Sequence, residues 1–227
     1  MPNIPTLKPR MQLFLSLLLG ALLSACVPIG QSAPQQTIPL GELLLDDTFT
    51  LQKGWEARES DWAYMDVINE GYRMWLTRNV YIYGLYRESF TDTVMEASTL
   101  LMSDNPKTIY GLRCRASEGN PANGYYFMLS ADGAFSIRYG AGNAIEPLVK
   151  WQNHSAIYTD GRINTIRIIC AGDYLALYVN NQFVADVTDD RYSRGFFGAA
   201  LALPEATTLD NPADVVFDNV RVWAVGD

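Results

Sequence analysis

The chain has 227 residues, with 25 Asp and Glu against 17 Lys and Arg and a formal net charge of −8. Like charges repel, so nucleic acid and anionic lipid are disfavoured as partners. Setting aside an N-terminal leader leaves about 200 residues, which is enough for one sizeable domain.

That leader comes first. Lys8 and Arg10 are basic, residues 11–25 (MQLFLSLLLGALLSA) are apolar and uncharged, and Cys26 closes the run. Positive, apolar, then small residues is the order of a secretory signal. At roughly 15 residues the apolar run is short of the ~20 that a spanning helix needs. Leu23-Ser24-Ala25-Cys26 resembles the lipobox of bacterial lipoproteins. The resemblance implies a signal peptide over 1–25, cut before the cysteine, and lipidation of Cys26. Acyl chains at ~0.8 kcal/mol per buried CH₂ would then hold the protein at the outer face of a bacterial membrane. The alternatives are an ordinary cleaved signal or an uncleaved anchor running on to Ile29. Residues 26–42 contain three prolines with Gln, Ser and Gly, and read as an extended tether. A single domain is expected over 43–227.

From there the pattern is almost all strand. Apolar and polar residues alternate in short runs at 44–50, 62–68, 72–77, 80–87, 94–102, 109–116, 125–130 and 134–139. Further runs follow near 148–151 and at 164–170, 174–179, 183–187, 195–203 and 215–222. Turn residues of Asp-Gly, Gly-Asp and Asn-Asn type separate many of them. No segment sustains a 3.6-residue apolar period, so helix should be minor. Many short strands with closely spaced turns predict an all-β, two-sheet antiparallel sandwich.

If Cys26 carries lipid, Cys114 and Cys170 are left as an even pair in an oxidising compartment. Alternation places both on the apolar side of their strands, where a disulfide would close a long loop. The alternative is two buried free thiols.

Several segments together resemble the concanavalin A-like lectin and glucanase jelly rolls, and within them the 3-keto-disaccharide hydrolase domain family. They are LLLDDTFTLQKGW (43–55), YYFMLSADGAFSIRYG (125–140), NTIRIICAGDYLALYVNNQFVADVTD (164–189), GFFGAAL (195–201) and VVFDNVRVW (215–223). These are turns and core strands, so the resemblance implies fold more than function.

Signals for catalysis are sparse. Glycosidases need two carboxylates across a cleft, and the glucanases of this fold carry Glu-x-Asp-x-x-Glu on one strand. Here the run VMEASTLL offers only Glu96. The sole histidine, His154, sits in a polar loop (WQNHSAIY) and reads as a surface residue. Asp46 and Asp47 open the domain and Asp218-Asn219 close it. Hard oxygen ligands of this kind suit Ca²⁺, yet turn and edge-strand roles are the simpler reading, so no cofactor is expected.

A carbohydrate-binding face mixes aromatic rings with Arg, Asn and Asp, and the chain has 13 Tyr and 5 Trp. If Cys114, Phe127 and Leu129 point inward, strand parity turns Arg113, Arg115 and Tyr126 outward, and by the same rule Glu96. The expectation is that Glu96, Arg113, Arg115 and Tyr126 share the open face of one sheet as a ligand-binding groove, with Trp151 or Tyr139 at its rim. The leading functional reading is a lipid-anchored cell-envelope module that binds a carbohydrate or envelope glycan without catalysis. The runner-up is a glycoside-active enzyme of the 3-keto-disaccharide hydrolase type, and a third is a structural lipoprotein that contacts another protein.

Overall fold

The computed structural model describes residues 33–51 and 54–226. The expected leader, the expected lipidation at Cys26 and residues 26–32 of the expected tether lie outside them. Fifteen strands and no helix are found among the described residues. In chain order they are β1 (Leu40–Asp47), β2 (Arg58–Glu59), β3 (Ala63–Ile68), β4 (Gly71–Leu76), β5 (Tyr81–Phe90), β6 (Thr93–Leu101), β7 (Ile109–Ala116) and β8 (Gly124–Ser130). Then follow β9 (Ala134–Ala141), β10 (Ala144–Asn153), β11 (Asn164–Ala171), β12 (Tyr174–Val179), β13 (Gln182–Thr188), β14 (Gly195–Ala202) and β15 (Ala213–Val225).

They form two antiparallel sheets packed as a sandwich, as the alternating runs predict. One sheet has nine strands in the order β13-β12-β11-β6-β15-β4-β3-β2, with β1 also paired to β15. The other has six, in the order β10-β9-β8-β7-β14-β5. Two-residue turns set the hairpins: Asn69-Glu70 joins β3 to β4 and Asn180-Asn181 joins β12 to β13, all four at positive φ. Left-handed conformations at both central residues match the twist of the flanking strands. The last strand, β15, changes partner along its length. It pairs with β4 over 213–217 and with β1 from Val220 onward, and Asn219 at φ 52° marks the irregularity between the two.

Inward residues of both sheets fill one core. It includes Met74, Leu76, Met95 and Ile168 from the nine-stranded sheet, and Leu112, Phe127, Ile137 and Leu201 from the six-stranded one. At one end Phe49, Trp55, Tyr72 and Phe197 pack ring against ring, with centroids 4.8 to 6.1 Å apart. Tyr72 reaches across the core beneath Gly84, where an added Cβ would lie 1.8 Å from its hydroxyl, and that hydroxyl donates to Glu56 O at 2.6 Å. Cys114 on β7 and Cys170 on β11 are both buried and joined as a disulfide, so the bond ties the two sheets together.

The fold starts earlier than Leu43. Leu40 pairs with Val225, and upstream of it Gln35 donates from its backbone and side chain to Asp186 at 2.7 and 3.1 Å. Ile38 packs on the outer face of the nine-stranded sheet beside Val94, Ile169, Tyr174 and Ala176. The end of the expected tether is therefore docked onto the domain.

Candidate functional site

The outer face of the six-stranded sheet carries a groove. Alternation turns Tyr81 and Tyr83 of β5, Arg113 of β7, Tyr126 and Met128 of β8, and Arg138 of β9 away from the core. Register places Arg113 opposite Tyr126 and Tyr126 opposite Arg138, so the three stand in a row across adjacent strands. Two adjoining depressions share Val80, Tyr81 and Tyr83. One, of about 700 Å³, runs past Glu56, Arg58 and Trp62; the other, of about 460 Å³, runs past Tyr126, Arg138, Asn143 and Ile145.

The floor is assembled around one guanidinium. Arg113 is fully buried and lies between two rings, 4.6 Å from the centroid of Tyr83 and 4.2 Å from that of Tyr126. Both contacts are cation–π pairs, which strengthen on desolvation. Its Nη2 donates to Pro121 O at 2.6 Å and Asn123 O at 3.1 Å. Tyr126 donates to Ala122 O at 2.6 Å, so the loop 117–123 is stitched onto the sheet. Gly140 permits this, because an added Cβ would sit 2.0 Å from Ala122 O. Arg138 donates to Ile145 O at 2.8 Å and is held near Ser136 Oγ. Tyr81 meets Tyr126 edge-on at 6.2 Å.

Burial dominates the electrostatics. It lowers the pKa of Arg113, against the favourable pull of Tyr126, Tyr83 and Glu56. It pushes the Tyr126 hydroxyl up to about 12, against Arg113, and raises that of Tyr81, against Arg138. The tyrosines are therefore neutral rings with hydroxyl groups at neutral pH. Such a surface can stack on an apolar face and donate hydrogen bonds at its edges.

The residues expected to share this face are divided by the structure. Arg113 and Tyr126 are together on it. Glu96 points outward as parity requires, but from β6 in the other sheet, where it pairs with Arg167 at 2.6 Å. Parity distinguishes inside from outside and carries no information on which sheet a strand joins. Arg115 departs for a different reason. Its φ of +54° breaks the alternation, and its guanidinium turns to the rim of the sandwich. There it donates to Thr91 O, Gly172 O, Tyr192 O and the Asp92 carboxylate at 2.7 to 3.2 Å. Trp151 is on the exposed edge strand β10, in the irregular stretch between Val149 and Gln152, and lines neither depression. Tyr139 pairs with inward-facing Tyr125 and stacks with Arg191. The reading from sequence missed Tyr81, Tyr83 and Arg138. The alternation in VYIYG was a usable signal for the two tyrosines; Arg138, in SIRYG, stood out only once its neighbour strand was known.

The acids considered for Ca²⁺ are engaged elsewhere. The first and last strands do pair, but Asp46 meets Arg221 at 3.2 Å. Asp47 accepts from Phe49 N–H and from Trp55 Nε1–H, and Asp218 accepts from Asn219. Among the described residues, no three His, Cys, Asp or Glu side chains are arranged to hold a metal. His154 accepts from Ala156 N–H through Nδ1 and meets Phe135 edge-on.

Comparison with solved structures places this architecture. A carbohydrate-binding module CBM66 from Bacillus subtilis superposes with a TM-score of 0.62 at 18% identity, covering 76% of this chain and 97% of that one. A Bacillus subtilis protein of unknown function with a galectin-like fold gives 0.61 at 12% identity, covering 83% and 99%. The endo-β-1,3-glucanase of Pyrococcus furiosus gives 0.62 at 14% identity, covering 85% and 99%. The fold is the jelly roll of these binding modules and glucanases. No family model and no curated protein sequence matches the chain. At such identities the likeness carries the fold, and function must be argued from the groove itself.

Proposed function

We propose that this protein is an exported, lipid-anchored domain that binds a carbohydrate in the groove of its six-stranded sheet without catalysing a reaction on it. The observation that carries the reading is the tyrosine and arginine face built by Tyr81, Tyr83, Tyr126 and Arg138. Rings to stack on sugar faces and fixed donors to meet hydroxyls are what a saccharide requires. Jelly-roll neighbours that include a carbohydrate-binding module and glucanases are consistent with a glycan as ligand.

Binding without catalysis is favoured by what lines the groove. Glycoside hydrolysis uses two carboxylates about 5 to 9.5 Å apart. Glu56 is the one carboxylate among the described lining residues of the two depressions, and it accepts Leu85 N–H at 3.2 Å. A glycoside-active enzyme of the 3-keto-disaccharide hydrolase type would need a second acid beside it. The export and anchoring part of the proposal rests on the leader and on Cys26, and labelling of that cysteine by a fatty-acid analogue tests it directly.

A glycan array with the full chain, followed by calorimetry on the hits, tests binding. Tyr83→Ala should weaken affinity about tenfold, the worth of one stacked ring, while Glu96→Gln on the opposite sheet should leave it unchanged. The proposal fails if no glycan binds, or if Tyr83→Ala binds as tightly as the parent.

A further inference from the structure

One edge of the six-stranded sheet is left open beside the groove. β5 is the last strand on its side, and the segment 54–56 covers only part of it. Trp55 bridges Tyr86 in antiparallel fashion, Glu56 N–H donates to Leu85 O at 3.1 Å, and Arg87 N–H donates to Gly54 O at 2.9 Å. Leu85 therefore turns its backbone to the edge, and along a strand every second residue does the same. Tyr81 and Tyr83 share that direction, while Val80 O faces the other way and accepts Leu203 N–H. Beyond Glu56 the chain leaves β5 to form β2. Among the described residues, nothing pairs with the N–H and C=O of Tyr81 or Tyr83 on the edge side.

This stretch has none of the usual protection. Natural sheet edges are blunted by proline, charge, bulges or a very short strand. β10, at the other edge of the same sheet, carries Pro147, Lys150 and two register irregularities, and β2, which ends the nine-stranded sheet, has two residues. By contrast VYIYG (80–84) has no charge and no proline, and its pairing with β14 is regular from Tyr81 to Leu85. Space lies beside it. The depression of about 700 Å³ is lined by outward Tyr81 and Tyr83, by inward Ile82, and by Trp62 and Met65 from the side of the other sheet, so it straddles the edge of β5. Arg58 and Arg87 also line it; both are exposed, and neither makes an ion pair among the described residues.

We infer that this edge is a docking site for an extended segment of another protein, which pairs antiparallel to residues 81–83 and continues the ladder begun by residues 54–56. That existing ladder argues for a peptide as the occupant. Open N–H and C=O groups two residues apart match the repeat of a strand, and main-chain bonds supply the affinity in this mode of recognition. Residues directly opposite each other in a ladder share a face. The guest residues bonded to Tyr81 and Tyr83 therefore point outward, and the unpaired Arg58 and Arg87 along the depression favour acidic side chains there. The residues between them point inward to Ile82, Met65 and Trp62, where apolar side chains fit. The guest is thus a short strand of alternating acidic and apolar residues. The glycan reading uses the rings of these tyrosines and this one uses their backbone, so neither stands on the other.

The test titrates an acetylated, amidated hexapeptide of alternating Asp and Ile into the full chain and follows amide exchange by NMR. Binding should slow exchange at Tyr81 and Tyr83 and leave Ile82, already paired with Leu201, unchanged. Two methylated forms of the peptide separate strand pairing from mere contact. N-methylation of the Asp amides, which face β5, should weaken binding at least about tenfold. N-methylation of the Ile amides, which face away, should leave binding intact. Tyr81→Pro removes one edge N–H and no bond to β14, and should weaken the unmethylated peptide to a similar degree. If that variant fails to fold, the methylated peptides give the answer on the unaltered chain. No binding of the unmethylated peptide, or equal loss from both methylated forms, would overturn the proposal. So would a glycan that protects the same two amides, or a dimer of the chain alone that Tyr81→Pro dissociates, since each gives the edge a different occupant.

Discussion

Arg115 offers the sharpest test of how this sandwich is closed. Its side chain is 1% exposed and donates to three backbone carbonyls, Thr91 O, Gly172 O and Tyr192 O, and to the Asp92 carboxylate. Thr91 and Asp92 join β5 to β6, Gly172 joins β11 to β12, and Tyr192 lies in the connection before β14. One guanidinium thus gathers three connections from around the rim. Arg115→Met keeps the apolar stem and removes every donor. Asp92 is half exposed and retains Gly172 N–H at 2.8 Å, so water can replace its lost bond at little cost. The three carbonyls lose their donor, at about 1 kcal/mol each, for a total of about 3 kcal/mol. For a domain of this size that corresponds to a fall in Tm of about 6–12 °C. Arg115→Lys should recover part of the loss, since an ammonium brings three donors without the planar fork. Urea and thermal unfolding of oxidised protein would measure both. A Met variant within 0.5 kcal/mol of the parent would show that the carbonyls find other donors and that the rim is not held by this residue.

Two further outcomes follow from the core and the disulfide. Replacing both Cys114 and Cys170 by Ala opens a loop spanning 56 positions and should cost about 4 kcal/mol, read as a lower urea midpoint with a steeper slope, because the unlinked unfolded chain exposes more surface. Tyr110 and Tyr126 have pKa values raised by burial from 10.0 to about 12. Above pH 10 the unfolded chain gives up these protons while the folded one keeps them. Their contribution is therefore complete below pH 10 and is lost as pH rises from 10 to about 12. Thermal melts across pH 9–12, with tyrosinate absorbance as a parallel readout, should show stability falling only in that window. A flat profile would mean that these hydroxyls are more hydrated than their burial implies.

Much of the fold was legible because its cues are local. Period-two alternation announced the strands, Asn-Asn and Gly-Asp announced hairpins, and the two inward cysteines were correctly oriented by their neighbours at Leu112 and Ile168. The groove was less legible because it depends on strand order, which is a long-range property. Glu96 and Arg113 look alike in parity, yet β6 lies between β11 and β15 while β7 lies between β8 and β14. Nothing near either residue encodes that separation. Arg115 shows a second limit: a single positive φ reverses the direction of a side chain, and no Gly or Asn stands there to signal it. The short reading of β10 has a similar cause, since register shifts on either side of Val149 blur its alternation.

The pairing of Leu40 with Val225 and the bonds from Gln35 to Asp186 keep both ends of the described chain on the nine-stranded sheet. That sheet lies on the far side of the core from the face that carries Tyr81, Tyr83 and Tyr126. A tag fused after Val225 would therefore start on the side of the sandwich away from the groove.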